Sequence, residues 1–141
     1  LKTLVQEQFA CNRDNSSKLS LLFQSFGFKY GLPSDTSFMF DVRCLPNPHW
    51  ETHLRPLTGR DTAVADYLSQ QVEVTEMINS ITQFIETWLP KFEAENRRYM
   101  TISIGCTGGQ HRSVYITEQL KKHFIKQRNN VSLRHRQLIE K

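Results

Sequence analysis

Between Gly105 and Ser113 the chain reads GCTGGQHRS, a set of residue types suited to holding a phosphoryl group. Gly105, Gly108 and Gly109 permit positive φ and close approach of a ligand to the backbone. Thr107 and Ser113 offer hydroxyls, His111 offers a donor, and Arg112 supplies a planar fork that matches two phosphate oxygens. MTISIGC precedes this stretch as a strand of the central type, and Ile116, Leu120 and Phe124 follow it at helical spacing. A strand that ends in glycines and opens into a helix presents unpaired amide hydrogens to one point, with the positive end of the helix dipole behind them. The candidate anion site is therefore Cys106, Thr107, Gly108, Gly109, Gln110, His111, Arg112 and Ser113. The alternative is a tight strand-to-helix turn that binds nothing.

Two known phosphate loops can be tested against the stretch. A Walker A loop needs GxxxxGK followed by Ser or Thr, and no Gly-Lys pair occurs in the chain. The spacing from Cys106 to Arg112, with Ser113 next, does satisfy the cysteine-phosphatase pattern of a thiolate under a ring of amides. Against that reading, Gly105 stands where those enzymes usually carry a histidine. Asp41 falls in an expected strand and Asp61 in a turn, so neither is placed as a leaving-group acid. A cysteine-dependent phosphatase using the loop from Cys106 to Arg112 remains the alternative function.

The elements that position this turn are an expected α/β arrangement. LSLLFQSFGF and TSFMFDV read as buried strands. A segment from Arg43 to Asp61 with three prolines and Gly59 reads as a long loop, and loops of that length usually carry function. From about Thr62 to Arg97 the residues Val74, Ile78, Ile81, Ile85, Trp88 and Phe92 form a helical stripe, which Pro90 is expected to bend or break after Leu89. A helix from about Gln110 to Gln127 follows the glycine turn, and a short strand near the end completes the set. The expectation is a sheet of about four to five mixed strands flanked by helices. Residues 1–17 read as a terminal helix and linker, and 18–141 as one domain.

Composition narrows the function. At 141 residues with a formal net charge of +4, the chain fits a single domain with a mild preference for anionic partners. The cysteines Cys11, Cys44 and Cys106 are scattered and odd in number, which argues against a disulfide framework or metal site and for a reducing cytosol. No signal peptide or spanning segment is visible. The first residue is not Met, so Leu1 reads as a cut end, either an arbitrary boundary or the end of a linker from an upstream domain. Charge gathers at the end: Lys121, Lys122, Lys126, Arg128, Arg134, Arg136 and Lys141, with His123 and His135, face the single acid Glu140. On composition alone this is either a footprint for a phosphate backbone or a solvated helix face.

SFGFKYGLP, FDVRCLPNPHW, LRPLTG and IGCTGGQHRSV, in that order, resemble the C-terminal domain of the RapZ/YvcJ family of bacterial regulatory proteins. The resemblance covers nearly the whole chain from Leu19 on. It implies an α/β domain like a phosphofructokinase subdomain that senses glucosamine-6-phosphate, binds small regulatory RNA and forms a homo-oligomer. It also implies an adaptor role, presenting RNA to RNase E to control amino-sugar synthesis in the cytoplasm. Carried onto this chain, the sugar-phosphate pocket comprises Thr107, Gly108, His111 and Arg112 with His49 from PNPHW facing them. Cys106 sits inside the motif, either as a member of the site or as a small apolar residue at the strand end. RNA binding falls to Lys121, Lys122, Lys126, Arg128, Arg134, His135, Arg136 and Lys141. No catalysis, metal or cofactor is expected in this stretch, since the family's ATP or GTP site belongs to a separate N-terminal domain.

Overall fold

The computed structural model describes residues 19–138, so the expected terminal helix and linker, together with Lys141, lie outside the described residues. Four strands form the sheet: β1 (Ser20–Gly27), β2 (Phe38–Asp41), β3 (Tyr99–Cys106) and β4 (Val131–His135). Three helices accompany them: α1 (Thr62–Ser69), α2 (Val72–Ala94) and α3 (Arg112–Ile125). The α/β class is as expected. The strand order is β2-β3-β1-β4, and each pairing is parallel, where a mixed sheet of four to five strands was expected. No two neighbouring strands are joined by a hairpin. The chain from β2 to β3 passes through α1 and α2, and that from β3 to β4 through α3, and such crossovers impose parallel pairing.

One face of the sheet carries the apolar core. Leu21 and Phe23 of β1 and Met100, Ile102 and Ile104 of β3 are buried with Ile81, Ile85 and Leu89 of α2 and Ile116, Leu120 and Phe124 of α3. Aromatic rings lock the layers, with Phe23 against Phe124 at 5.6 Å between ring centres and Phe38 of β2 against Phe84 at 5.1 Å. On the alternate positions polar and apolar side chains mix, and Gln24 donates through Nε2 to Ser103 Oγ at 3.1 Å beside the buried Phe26.

The long helical stripe departs from expectation in two ways. It is divided at Gln71, whose extended backbone (φ −89°, ψ 120°) separates α1 from α2. Pro90, by contrast, does not end the helix, which continues to Ala94. Pro90 forfeits one backbone hydrogen bond on the exposed side. Leu89 in the core and Phe92 against Phe38, 5.6 Å between ring centres, hold the helix on both sides of it. Packing outweighs the local preference. Trp88, expected in the apolar stripe, is exposed, and Leu89 takes the core position instead.

Register brings the strand ends into line. Gly27 pairs with Cys106 and Asp41 with Gly105, so the carboxyl ends of β1, β2 and β3 meet at the glycine turn. There the backbones touch closely: a Cβ on Gly27 would lie 2.6 Å from the Gly108 carbonyl carbon, and one on Gly59 would lie 2.4 Å from the His111 carbonyl oxygen. Gly59 N–H also donates to the Gln110 carbonyl at 2.7 Å, which pins the long loop to the start of α3. Gly59→Ala should therefore destabilise the protein by about 1–3 kcal/mol through overpacking against rigid backbone, read as a lowered midpoint in urea unfolding.

Candidate functional site

A cleft of about 450 Å³ opens where the glycine turn faces the loop from Arg43 to Asp61. Thr107, Gly108, Gln110, His111 and Arg112 contribute one wall, with Cys106 at the base, and His49 contributes from the loop opposite. The structure thus brings together seven of the nine residues proposed from sequence for the ligand. Gly109 and Ser113 do not line it. Gly109, in the left-handed region (φ 75°), packs against Gly27 and donates its N–H to Cys106 Sγ at 3.3 Å. Ser113 is fully buried and accepts from the Cys106 thiol at 3.1 Å. The Gly109 amide is thus spent on Cys106, and Thr107 and Gly108 are the turn residues left at the cleft before Gln110.

Arg112 was expected to clasp the anion with its whole fork. It is 4 % exposed, and its Nη1 donates to the carbonyls of Arg43 at 2.7 Å and Leu45 at 3.0 Å. Half of the fork thus holds the loop in place. Its Nε is buried without a partner, so donor capacity remains beside the cleft. The same loop is braced outside by Arg43, paired with Asp41 at 2.7 Å and lying 3.9 Å over the Phe28 ring. The hydrogen bond from Arg43 holds the Asp41 carboxyl below its ordinary pKa.

His49 rides on a single 3₁₀ turn, Pro48–Trp50, capped by the Asn47 side chain, which accepts from His49 N–H at 3.0 Å. Arg55 Nε then donates to the His49 carbonyl at 2.9 Å, so this turn is fixed from two directions. His111 differs from the expected phosphate donor. Burial pushes its pKa below the ordinary 6.5, and nearby His49 acts in the same direction, while the backbone carbonyls of Leu54, Leu57 and Arg55 oppose the shift. A neutral imidazole carries one donor and one acceptor. Its Nε2 is buried without a partner.

Sequence reading missed Lys29, Tyr30, Asn47, Trp50 and Arg55, all of which line the cleft. Lys29 and Tyr30 stand in the 3₁₀ turn Phe28–Tyr30 after β1, and only the alignment of strand ends brings them beside Thr107, whose carbonyl accepts from Lys29 N–H at 3.3 Å. LRPLTG was noticed as a motif, yet nothing local marked Arg55 within it as a cleft residue.

The basic residues near the chain end do not form one patch. His135 is buried among Ser25, whose hydroxyl is 2.6 Å from its Nδ1, and Glu118, whose carboxylate is 2.8 Å from its Nε2. The hydrogen bond to His135 is the main cause of a lowered Glu118 pKa, and Arg60, 3.4 Å from the same carboxylate, adds to it. Arg128 pairs with Glu93 and is largely covered. Lys122 on α3 and Lys126 at its C-terminal cap are exposed, with Lys121 half-buried. Arg134 and Arg136 alternate with the inward Leu133 and His135, so they project from the opposite side of the sheet. Among the described residues no cluster of three or more His, Cys, Asp or Glu could hold a metal ion, and no helix is long and apolar enough to cross a membrane.

A family model described as the RapZ C-terminal domain matches residues 19–139. A nucleotide-binding protein of Thioalkalivibrio sulfidiphilus is 63% identical over 121 residues, which is 85% of this chain and 42% of that protein. Another from Nitrosococcus oceani is 54% identical over 138 residues, 98% of this chain and 48% of its own length. A third, from Shewanella loihica, is 60% identical over 121 residues, covering 86% and 43% respectively. The chain thus spans less than half the length of these relatives.

The environment of His111 makes a pH prediction. Unfolded, the group titrates near 6.5; folded, it titrates lower. The unfolded chain therefore binds more protons in the interval, and this contribution to stability is intact above about 6.5 and declines as pH falls below it. Thermal unfolding should show His111→Asn with a flatter loss of melting temperature between neutral and mildly acidic pH than the parent chain.

Proposed function

The chain belongs to the RapZ C-terminal domain family, and from that premise we propose that it is a sensing domain whose cleft binds a phosphorylated amino sugar, glucosamine-6-phosphate. The observation that carries this reading is the charge of the cleft. Lys29, Arg55 and Arg112 line it with two histidines, and among the described residues no acidic one lines it. A phosphoryl group at the Thr107–Gly108 turn would meet the N-terminus of α3, a helix of 14 residues, where the dipole favours negative charge. The neutral ring of His111 suits a sugar hydroxyl or amine better than a second anion.

The adaptor role is proposed with it: small regulatory RNA engaged by exposed basic residues and presented to RNase E, in the cytoplasm, by a homo-oligomer. Arg134 and Arg136 on one side of the sheet and Lys122 and Lys126 on the other are available to phosphate backbones. Binding through such scattered cations would follow RNA shape and charge more than base identity. Coupling between ligand and RNA has a physical route, because Glu118 of α3 pairs with Arg60 at the end of the loop and is hydrogen-bonded to His135 of β4. Ligand-induced shifts at either end of that chain would be felt at Arg134 and Arg136.

We propose further that the domain acts without catalysis. A phosphatase nucleophile would need its thiolate exposed to the phosphorus, whereas Cys106 is 2 % exposed and its thiol donates to Ser113. Para-nitrophenyl phosphate should accordingly not be turned over; turnover lost in Cys106→Ser would restore the enzyme reading. In calorimetry, glucosamine-6-phosphate should bind saturably and Lys29→Ala should weaken it roughly ten-fold, the worth of one charge-assisted hydrogen bond. RNA affinity measured with and without the sugar phosphate should differ, and equal values would remove the coupling.

A further inference from the structure

We propose that Trp50 sets the specificity of the cleft: its indole takes the apolar face of a pyranose ring, so the site selects closed six-membered sugar phosphates over open-chain and furanose ones. The inference rests on the sugar-phosphate reading above and says how the sugar, as distinct from its phosphate, is recognised. Trp50 lines the cleft and is 74 % exposed, and Tyr30, which lines it as well, is 58 % exposed. Large aromatic side chains are ordinarily drawn inward, and two left in water beside one cavity mark a contact surface for what enters it.

The backbone fixes where the indole is rooted. Pro48 is buried and opens the 3₁₀ turn with a locked φ, and the Asn47 side chain accepts from His49 N–H at 3.0 Å. Trp50 N–H donates to the Asn47 carbonyl at 3.2 Å and Glu51 N–H to the Pro48 carbonyl at 2.9 Å. A platform set in advance loses little conformational freedom when a ligand arrives. His49 meets the indole at 79°, with 5.8 Å between ring centres, so these two rings are not stacked on one another. Tyr30 is the lesser candidate for the same role, because Lys29 Nζ already lies over its ring, 5.3 Å from the centre.

A pyranose with equatorial hydroxyls offers two kinds of surface. Its edge carries donors and acceptors, while axial C–H groups make its face apolar. The cleft presents a partner for each. Two buried polar atoms of its lining residues, the Nε2 of His111 and the Nε of Arg112, have no hydrogen-bond partner, and hydroxyls that both donate and accept suit the pair. Trp50 supplies the flat apolar counterpart for the face, through dispersion contacts and removal of both surfaces from water. At about 450 Å³ the cleft falls among cavities that enclose small organic ligands, roughly 300–1,000 Å³, so ring and phosphate enter together. An open chain has no single face to lay on an indole, and it gives up more rotational freedom on binding.

Calorimetry on the 141-residue chain compares glucosamine-6-phosphate with its reduced form, 2-amino-2-deoxyglucitol 6-phosphate, which keeps the phosphate and the amine and cannot close a ring. The closed sugar should bind about ten-fold tighter. Trp50→Ala, at an exposed position and expected to keep the parent melting temperature, should erase that margin by weakening the closed sugar alone, and Trp50→Phe should keep most of it. A second readout is optical: Trp50 and Trp88 are the two tryptophans of the chain, and Trp88 stands on α2 outside the cleft. In Trp88→Phe, the emission of Trp50 should change on saturation with glucosamine-6-phosphate and stay constant with inorganic phosphate. Equal affinities for the closed and open forms, a margin that survives Trp50→Ala, or an emission unmoved by the bound sugar would overturn the proposal and leave the sugar-phosphate site standing. Binding of neither form would end both.

Discussion

Arg112 turns inward at the first residue of α3 and holds, through one nitrogen, the carbonyls of Arg43 and Leu45. The rest of the site depends on that contact. The segment from Arg43 to Asp61 has no regular structure beyond a single 3₁₀ turn, and a loop of its length ordinarily wanders over the surface. Tied at its start by the guanidinium and at its end by Gly59 on Gln110, it instead becomes the second wall of a cleft. A guanidinium is fitted to this role because it stays charged when buried and offers several donors in one plane.

The same arrangement explains a division of labour inside the glycine turn. Residues with small or hidden side chains, Gly109, Ser113 and the Cys106 thiol, bond to one another and pack against Gly27, and so set the shape of the turn from behind. Those that remain at the cleft, Thr107, Gly108, His111 and the unspent part of Arg112, face a loop that adds Arg55, while Lys29 joins from the 3₁₀ turn after β1. A positive cavity, with no acid among its described lining residues, stands at the carboxyl ends of parallel strands, where ligands settle in open α/β sheets. Beyond it, Glu118 pairs with Arg60 of the loop and is hydrogen-bonded to His135, so the loop and the last strand are joined through α3.

Much of the fold was legible because hydrophobic spacing is a local signal. The strands at Ser20–Gly27 and Tyr99–Cys106 and the helix after the glycine turn stand where their apolar runs placed them. Local signals failed where a distant partner overrode them. Pro90 is expected to bend or break the helix, but Phe38, far away in sequence, packs against Phe92 and carries α2 on to Ala94. His135 was read as a surface cation, but Ser25 and Glu118 enclose it. Gln71, where the helix does break, carries no side-chain signature of a breaker.

The sequence by itself determined that a strand ends in a glycine turn opening into a helix, that anion-binding groups cluster there, and that the motifs around it are those of one family. These follow from spacing along the chain, which is fixed by covalent bonds. Only the tertiary structure decided which of those groups face a ligand. Whether Arg112 reaches outward or holds a carbonyl, whether Ser113 lines the cleft or the core, and whether Lys29, Trp50 and Arg55 join it depend on contacts between segments dozens of residues apart. Such contacts are set by strand register and close packing, and neither is written in any one stretch of residues.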